Sequence, residues 1–382
     1  MSARRLSHDE ALAWLGASQD MHAPLLASML RDGSTPYVAN APAVLHVFAV
    51  GTVLIPVTTP RVSDVPDRSY VVSPHAHFAR YSAEELHKLG NPPVEILLHG
   101  LIEGVGLGLR AGGVERVAFV NNYLLSTNLW PRLAPRDVLD LRDAVVDAFP
   151  DHAVAFRSVD PATQHGLIGA LQAGGARFVP ARQVWIQEPE AAAGLRRVRK
   201  DLRRLAGHRW RLVPVTPADA PRVAALYRML YLDKYSRLNP QFTERFFERA
   251  ISEHWFTFRG FARDGDPTNG LDAVLGYVVR PGENGHGVMT QSIFGVDTSL
   301  PTSLGLYALL STLVFVEARE RGLRVHRSAG AGAFKAGRGA VPFPEFLAVS
   351  DRHLSARRRA PWALLESVGT QVGIPLLRRY SL

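Results

Sequence analysis

Between residues 116 and 187 the apolar positions switch back and forth between the period of two of a strand and the period of about 3.6 of a helix. RVAFVNNYLL (116–125) reads as a strand ending on Asn121 and Asn122, and APRDVLDLRDAVVDAF reads as the helix after it. HAVAFRSV (152–159) predicts a second strand, PATQHGLIGALQAGG a helix, and ARFVPARQVWI a third strand. A similar alternation returns after residue 209. WRLVPV predicts a strand, and TPADAPRVAALYRMLYLDKYS a helix with Thr216 as N-cap and Pro217 in first position. NPQFTERFFERAISE predicts a further helix, and WFTFRGFAR, LDAVLGYVV and GVMTQSIFGVD predict three strands. The long helix SLGLYALLSTLVFVEARERG comes next, then a strand RVHRSAG, a short helix around Phe334–Ala336, and a closing strand FPEFLAVS.

The two runs rhyme. Arg157–Ser158 matches Arg327–Ser328, Gly174–Gly175 matches Arg338–Gly339, and Phe178–Val179–Pro180 matches Val341–Pro342 within a residue or so. The order of elements around these pairs predicts an internal duplication of an α/β layered domain. Between the halves, EPEAAAG reads as a linker and GLRRVRKDLRRLAGHRWR (194–211) as a basic helix with Leu195, Val198, Leu202 and Leu205 at helical spacing. The expected organisation is an N-terminal helical segment (1–40), a first domain (41–190), a basic connecting helix (191–208) and a second domain (209–382).

Composition narrows the chemistry. The 382 residues are 47% hydrophobic and 21% charged, as in an ordinary globular protein. No cysteine is present, which excludes thiolate catalysis, disulfides and Cys-ligated zinc. Apolar runs such as LYALLSTLVFVEA are short and soon charged, and the first residues carry acid where a signal peptide is apolar. The expectation is a cytoplasmic protein, monomer or homodimer, with no membrane partner. Formal net charge is +9, and Arg greatly outnumbers Lys. That balance favours polyanionic partners such as RNA, a phosphorylated cofactor or an acidic carrier protein, and it also arises from a GC-rich coding sequence. A nucleic-acid-binding module is the competing class, although residues 194–211 lack the aromatic interleaving of single-strand binders.

Candidate chemistry concentrates in RSAGAGAFKAGRGAVPFPEF (327–346), where Gly and Ala let backbone approach another element or a ligand. Phe334 is expected to pack inward, leaving Lys335 to face a cleft or solvent as a phosphate contact or an acid/base group. Arg338 adds a fork for an anion. Asp297, at a strand end, is placed either to take an ammonium proton or to cap the following helix. YLDKYSRLNP brings Asp233, Lys234 and Tyr235 to a loop, as a substrate wall with a phenolic proton donor or as a packed turn. Asn121, Asn122, Ser126 and Asn128 supply polar donors in the earlier half. SPHAHF sets His75 and His77 on one strand face, which without a carboxylate reads as a polar loop rather than a metal site. EGVGLGLRAGG (103–113) is a glycine-rich run that serves either a ligand or helix packing.

The long helix followed by a strand, SAGAGAFKAGRGA and a closing strand resembles the GNAT acyltransferase superfamily. The branch it resembles has two tandem GNAT domains: the FemABX-like peptidyltransferases and related FemAB-type acetyltransferase domains. FGVD before the long helix and FK..RG after it fit that pattern, and VNNYLLSTNLWP and LYLDKYSRLNPQF look like family segments, so the likeness spans roughly residues 40–360. It implies two GNAT-like domains, each a mixed, mostly antiparallel sheet with a central long helix. It also implies transfer of an acyl or aminoacyl group to an amine of a small molecule or peptide. Acyl-CoA, aminoacyl-tRNA or an acyl-carrier protein would act as donor, with no covalently bound cofactor and no metal. Within that frame Asp297, Lys335 and Tyr235 are the expected catalytic residues. Arg338, Ser328, Gly305 and Arg199 are expected to hold the donor, and Asp233, Lys234, Asn121, Asn122 and Asn128 the acceptor. One departure stands out: the pyrophosphate motif of acyl-CoA-binding domains is incomplete, because Thr302 precedes Gly305 where Arg or Gln is usual. A catalytically idle pair of domains acting as a scaffold also fits.

Overall fold

The computed structural model describes residues 3–61, 65–207, 210–263, 270–283 and 285–380. The chain opens with β1 (Arg4–Arg5), α1 (His8–Ala17) and α2 (Ala23–Asp32), then makes the hairpin of β2 (Ala43–Val50) and β3 (Val53–Pro60). A π-helical turn at Ala76–Tyr81 leads through α3 (Ser82–Glu85) to the long α4 (Pro92–Ala111). β4 (Val117–Val120), α5 (Pro135–Ala148), β5 (Ala153–Val159), α6 (His165–Ala173) and β6 (Arg177–Gln187) complete the first half. α7 (Pro189–Ala192) and α8 (Arg196–Ala206) make the connection. The second half begins with β7 (Trp210–Val213), α9 (Ala220–Tyr227), a π-helical turn at Arg228–Asp233 and α10 (Glu244–Ser252). It continues with β8 (Thr257–Arg263), β9 (Leu271–Pro281), β10 (Gly287–Val296), α11 (Leu306–Glu320), β11 (Arg324–His326), α12 (Gly332–Ala336) and β12 (Ala340–Ser350). α13 (Ala356–Val368) and α14 (Ile374–Tyr380) follow, joined by a third π-helical turn at Gly369–Gly373.

The strands form one sheet in the order β1-β2-β3-β4-β5-β12-β6-β11-β10-β9-β8-β7. Matching β1–β6 with β7–β12 makes this order read the same from both ends. Each half has one parallel pair, β4 with β5 and β10 with β11, and its remaining pairings are antiparallel. The last strands are exchanged: β6 pairs with β11 of the second half, and β12 with β5 of the first. β6 and β12 then run antiparallel against each other from Ala340–Gln187 to Val349–Arg177. The α7–α8 connection therefore joins two halves that share a sheet.

Alternation along the strands decides which helix covers which face. Val117, Phe119, Ala153 and Ala155 point to α4 and α13, while Ala118, Val120, Val154 and Phe156 point to α5 and α6. In the second half Val274, Val278 and Val288 meet α9 and α10, and Ala273, Leu275 and Met289 meet α11. The N-terminal helices α1 and α2 pack with α9 and α10, and buried Arg280 on β9 fixes them by donating to Asp20 at 2.6 Å. One face thus carries α1, α2, α4, α9, α10 and α13, and the other carries α5, α6 and α11. No helix among the described residues is long and apolar enough to cross a membrane.

Two local expectations are corrected, those for the two histidines and for the short helix, and the glycine-rich run takes the helix-packing one of its two readings. His75 and His77 lie in a helical segment rather than on a strand, because Ser73 Oγ accepts from Ala76 N–H (3.0 Å) and starts a turn. The glycine-rich run 103–113 belongs to α4 and its end, where Gly106 lets Ala79 approach and Gly112 sits against the ring of Pro361. The short helix at 332–336 turns Lys335 inward, 5% exposed, and leaves Phe334 half-buried under the Arg338 guanidinium, 3.5 Å from the ring centre.

Candidate active site

The parallel pairing of β10 with β11 lasts three residues, Val288–Thr290 against Arg324–His326. β10 then bulges between Gln291 and Ile293, while the other chain turns away through left-handed residues, Ser328 (φ 54°), Gly330 (φ 76°) and Ala331 (φ 50°). The strands splay, and a cavity of about 640 Å³ opens between them. Its walls include Tyr70, His77, Ser126, Thr127 and Arg182 from the first half and Tyr231, Tyr235, Gln291, Ser292, Tyr307 and Ser328 from the second. Tyr307 belongs to α11, whereas Val105 and Leu365 at the far end belong to α4 and α13. The cavity therefore passes through the sheet from one helical layer to the other.

Lys335 holds the turn that shapes this opening. Its ammonium donates to the carbonyls of Arg327 (2.6 Å), Ser328 (3.1 Å) and Ala329 (2.8 Å), one for each of its three donors. Burial, with the Arg327 and Arg182 cations close by, holds Lys335 well below the usual lysine range. Ser328 N–H donates to His326 Nδ1 at 3.1 Å, so the other ring nitrogen carries the proton, and it faces Asp160 Oδ2 at 3.8 Å. Arg182 Nη2 donates to Thr127 Oγ1 (2.9 Å), whose hydroxyl lies 2.8 Å from Ser328 Oγ. A hydroxyl has a single proton. Either hydroxyl can donate across that contact, and in the arrangement where Thr127 donates the Ser328 proton is free for the cavity.

Arg182 is clamped by Glu345, which accepts from Nε at 2.7 Å and from Nη2 at 3.0 Å. The carboxylate outweighs burial and raises the guanidinium above its ordinary value. His77 is half-buried at the cavity wall near Arg157 and Arg182, and desolvation with those cations pushes it down to about 3, so the imidazole is neutral near pH 7. Burial lifts Tyr235, with Glu85 adding to the shift, and lifts Tyr307 to about 12, so both phenols stay protonated. At the bulge, Gln291 Oε1 and Ser292 Oγ are buried without a hydrogen-bond partner in the protein.

The corresponding splay of β4 and β5 is sealed. Asn122 donates to Thr58 (2.7 Å) and Val71 O (2.9 Å), Asn128 N–H donates to Ser158 Oγ (3.0 Å), and Arg157 donates to Asn122 Oδ1 (2.6 Å). Trp130 closes the end by donating to Arg157 O at 2.7 Å.

Of the residues singled out from sequence, Lys335, Ser328, Tyr235, Ser126, His77 and Phe334 line the cavity. Asn121, Asn122 and Asn128 are buried in the sealed half. Asp297 is tied to Arg222 (2.7 Å) and to Ser299 N–H (2.9 Å), away from the cavity wall, and α11 begins well beyond it. Arg338 donates to Asp201 on α8 (2.7 Å). Gly305 adopts φ 70° just before α11, under the Arg204 guanidinium. Arg199 is exposed on α8, and Asp233 and Lys234 are exposed beside Tyr235. Arg182, Thr127, Gln291 and Ser292 were not singled out, and His77 was weighed only as a metal ligand or part of a polar loop. A Thr or Gln carries no motif by itself, and only the pairing of β6 with β12 brings Arg182 to the cavity.

No protein-family model matches the chain, and no curated protein matches it either. Among solved structures it is similar to FemX, with TM-score 0.51 over 96% of this chain and 100% of that one at 10% identity. It is also similar to the C-terminal domain of an Agrobacterium fabrum protein named as a lysylphosphatidylglycerol synthetase, with TM-score 0.50 over 95% and 97% of the two chains at 14% identity. The likeness is one of fold. The chain has the tandem, FemABX-like GNAT fold that the order of its elements predicts.

Proposed function

We propose that the protein is an N-acyltransferase that moves an acyl or aminoacyl group from an activated donor, acyl-CoA or aminoacyl-tRNA, to an amine. The observation that carries this reading is the pair Gln291 and Ser292. Two adjacent side chains hold unpaired buried oxygens, Gln291 Oε1 and Ser292 Oγ, at the wall of an open splay, while the matching splay is closed by hydrogen bonds that leave Asn121 Oδ1 unpaired. An unpaired buried polar group costs about 1–3 kcal/mol, and a ligand that pairs with both atoms offsets that cost.

Aminolysis of an ester or thioester needs positioned partners, a donor for the developing oxyanion and a proton for the leaving group. In the proposed arrangement the donor carbonyl sits between the bulge and the Ser328 hydroxyl, which donates to the oxyanion. The free amine nitrogen forms the new C–N bond as the bond to sulfur or oxygen breaks; the neutral Tyr235 phenol gives its proton to the leaving group and takes one from the amine nitrogen, so it ends the step neutral again. Lys335 acts through the turn it holds. The basic face of α8, packed on α11 through Val198 and Phe315, is the proposed contact for a polyanionic donor.

The test is incubation of the purified chain with radiolabelled acetyl- and longer acyl-CoAs, and separately with charged tRNAs, over a panel of amines. Amide product from one donor class, lost in Ser328→Ala, supports the reading. No transfer from either class to any amine sinks it.

A further inference from the structure

The cavity has a second limb that amide transfer does not require. From the bulge it runs out between α4 and the C-terminal helices, past Ile102, Val105, Leu365 and Leu376. The wall does not end at the surface. Leu101 lines the cavity and is also 39% exposed, and on the same helix Leu97 is 73% exposed and Leu107 65% exposed. Large exposed apolar side chains gathered on one helix mark a binding surface. Here Leu97, one turn before Leu101, continues an apolar passage whose inner end is polar, whereas Leu107 lies on the opposite side of α4. Gly369 and Gly373 line the same limb, in the π-helical turn between α13 and α14, and contribute no side-chain bulk there.

We infer that this limb takes the unbranched hydrocarbon chain of an amphiphilic substrate, with its polar reacting end at Gln291 and Ser328 and its tail leaving between α4 and α14. A flexible chain fits a long apolar passage better than a compact side chain does, because each methylene is buried in turn. Two sources share this chemistry: the acyl chain of a soluble thioester donor, and the tail of a lipid presented from a bilayer. The inference depends on the transferase reading only in naming the chain's bearer a substrate.

Binding is therefore measured without turnover. Calorimetric titration of the whole chain with straight-chain fatty acids of increasing length, below their micelle concentrations, is expected to show affinity rising about fourfold per methylene up to a plateau. Ile102→Trp and Leu376→Trp, which block the limb from opposite walls, should move the plateau several carbons shorter while the melting temperature holds. Affinity that ignores chain length, or a plateau that neither variant moves in a folded protein, overturns the inference. So does a dimer formed through Leu97 and Leu101 that binds no chain. Two further arms assign the source. An acyl-CoA series with the same slope points to a soluble donor. Co-sedimentation with vesicles of equal phosphatidylglycerol and phosphatidylcholine, lost in Leu97→Ser/Leu101→Ser, points to a lipid. Chain binding without amide product would leave this inference standing and count against the transferase alone.

Discussion

Ser158 and Ser328 stand at matching positions just inside the end of β5 and just beyond β11, and both hold a left-handed backbone, φ 55° and 54°. Their hydroxyls serve different ends. Ser158 Oγ accepts from a buried backbone amide, whereas Ser328 Oγ meets Thr127 at the cavity wall. The same turn is closed by protein hydrogen bonds in the first half and borders an open cavity in the second.

That contrast predicts opposite responses to the same substitution. Ser158→Ala leaves the Asn128 N–H unpaired and should cost about 1–3 kcal/mol in urea unfolding. Ser328→Ala should leave unfolding nearly unchanged and lower turnover about a hundredfold or more, the scale of one lost hydrogen bond to an oxyanion. Equal losses of stability in both variants would show that the two turns have the same role.

Lys335 should respond as a positioning group. Lys335→Met removes three charge-assisted hydrogen bonds, each on the order of 1.5–3 kcal/mol, so it should lower both the melting temperature and turnover. Lys335→Arg should not rescue either, because a planar fork cannot reach three carbonyls around one point. The pH dependence has a definite sign. Because burial holds the folded pKa below that of an ordinary lysine, the unfolded chain binds more protons in the interval between them. Stability contributed by this site therefore rises with pH through that interval. Unfolding curves at several pH values from 7 to 10 should show the rise in the parent and a flatter profile in Lys335→Met.

Gln291→Leu should separate stability from activity. It replaces an unpaired buried amide oxygen with a side chain that needs no partner, so the melting temperature should hold or rise. Turnover should fall by about tenfold or more. A variant with full activity would remove Gln291 from the site.

The basic face of α8 makes a prediction about salt. Arg196, Arg197, Arg199 and Arg203 are exposed, while Val198 and Asp201 of the same helix are buried. Neutralising the four arginines together should weaken tRNA binding and flatten its dependence on salt, since each lost phosphate contact lowers the slope by roughly 0.7–0.9. Binding of an acyl-CoA should change little. Filter binding at two salt concentrations decides between them, and an unchanged tRNA affinity would take α8 out of the donor site.

The sequence by itself determined the alternation of strands and helices, the duplication and the position of the basic connector, because hydrophobic period and turn chemistry are local properties. It also marked residues 327–339, since Gly and Ala beside a single Lys are a local signal of close backbone approach. It misjudged His75 and His77, because a spacing of two fits a strand as well as a helical turn and Ser73 decides between them only once folded. Tertiary structure alone decided the site. The exchange of β6 and β12 carries Arg182 and Glu345 to the mouth of the β10–β11 splay, where they meet Thr127 and Ser328. It alone turned Lys335 inward, tied Asp297 to Arg222, and closed one splay with asparagines while leaving the other open. Those outcomes depend on contacts between residues far apart in the chain, and no local pattern encodes which of two similar turns will find its cavity already filled.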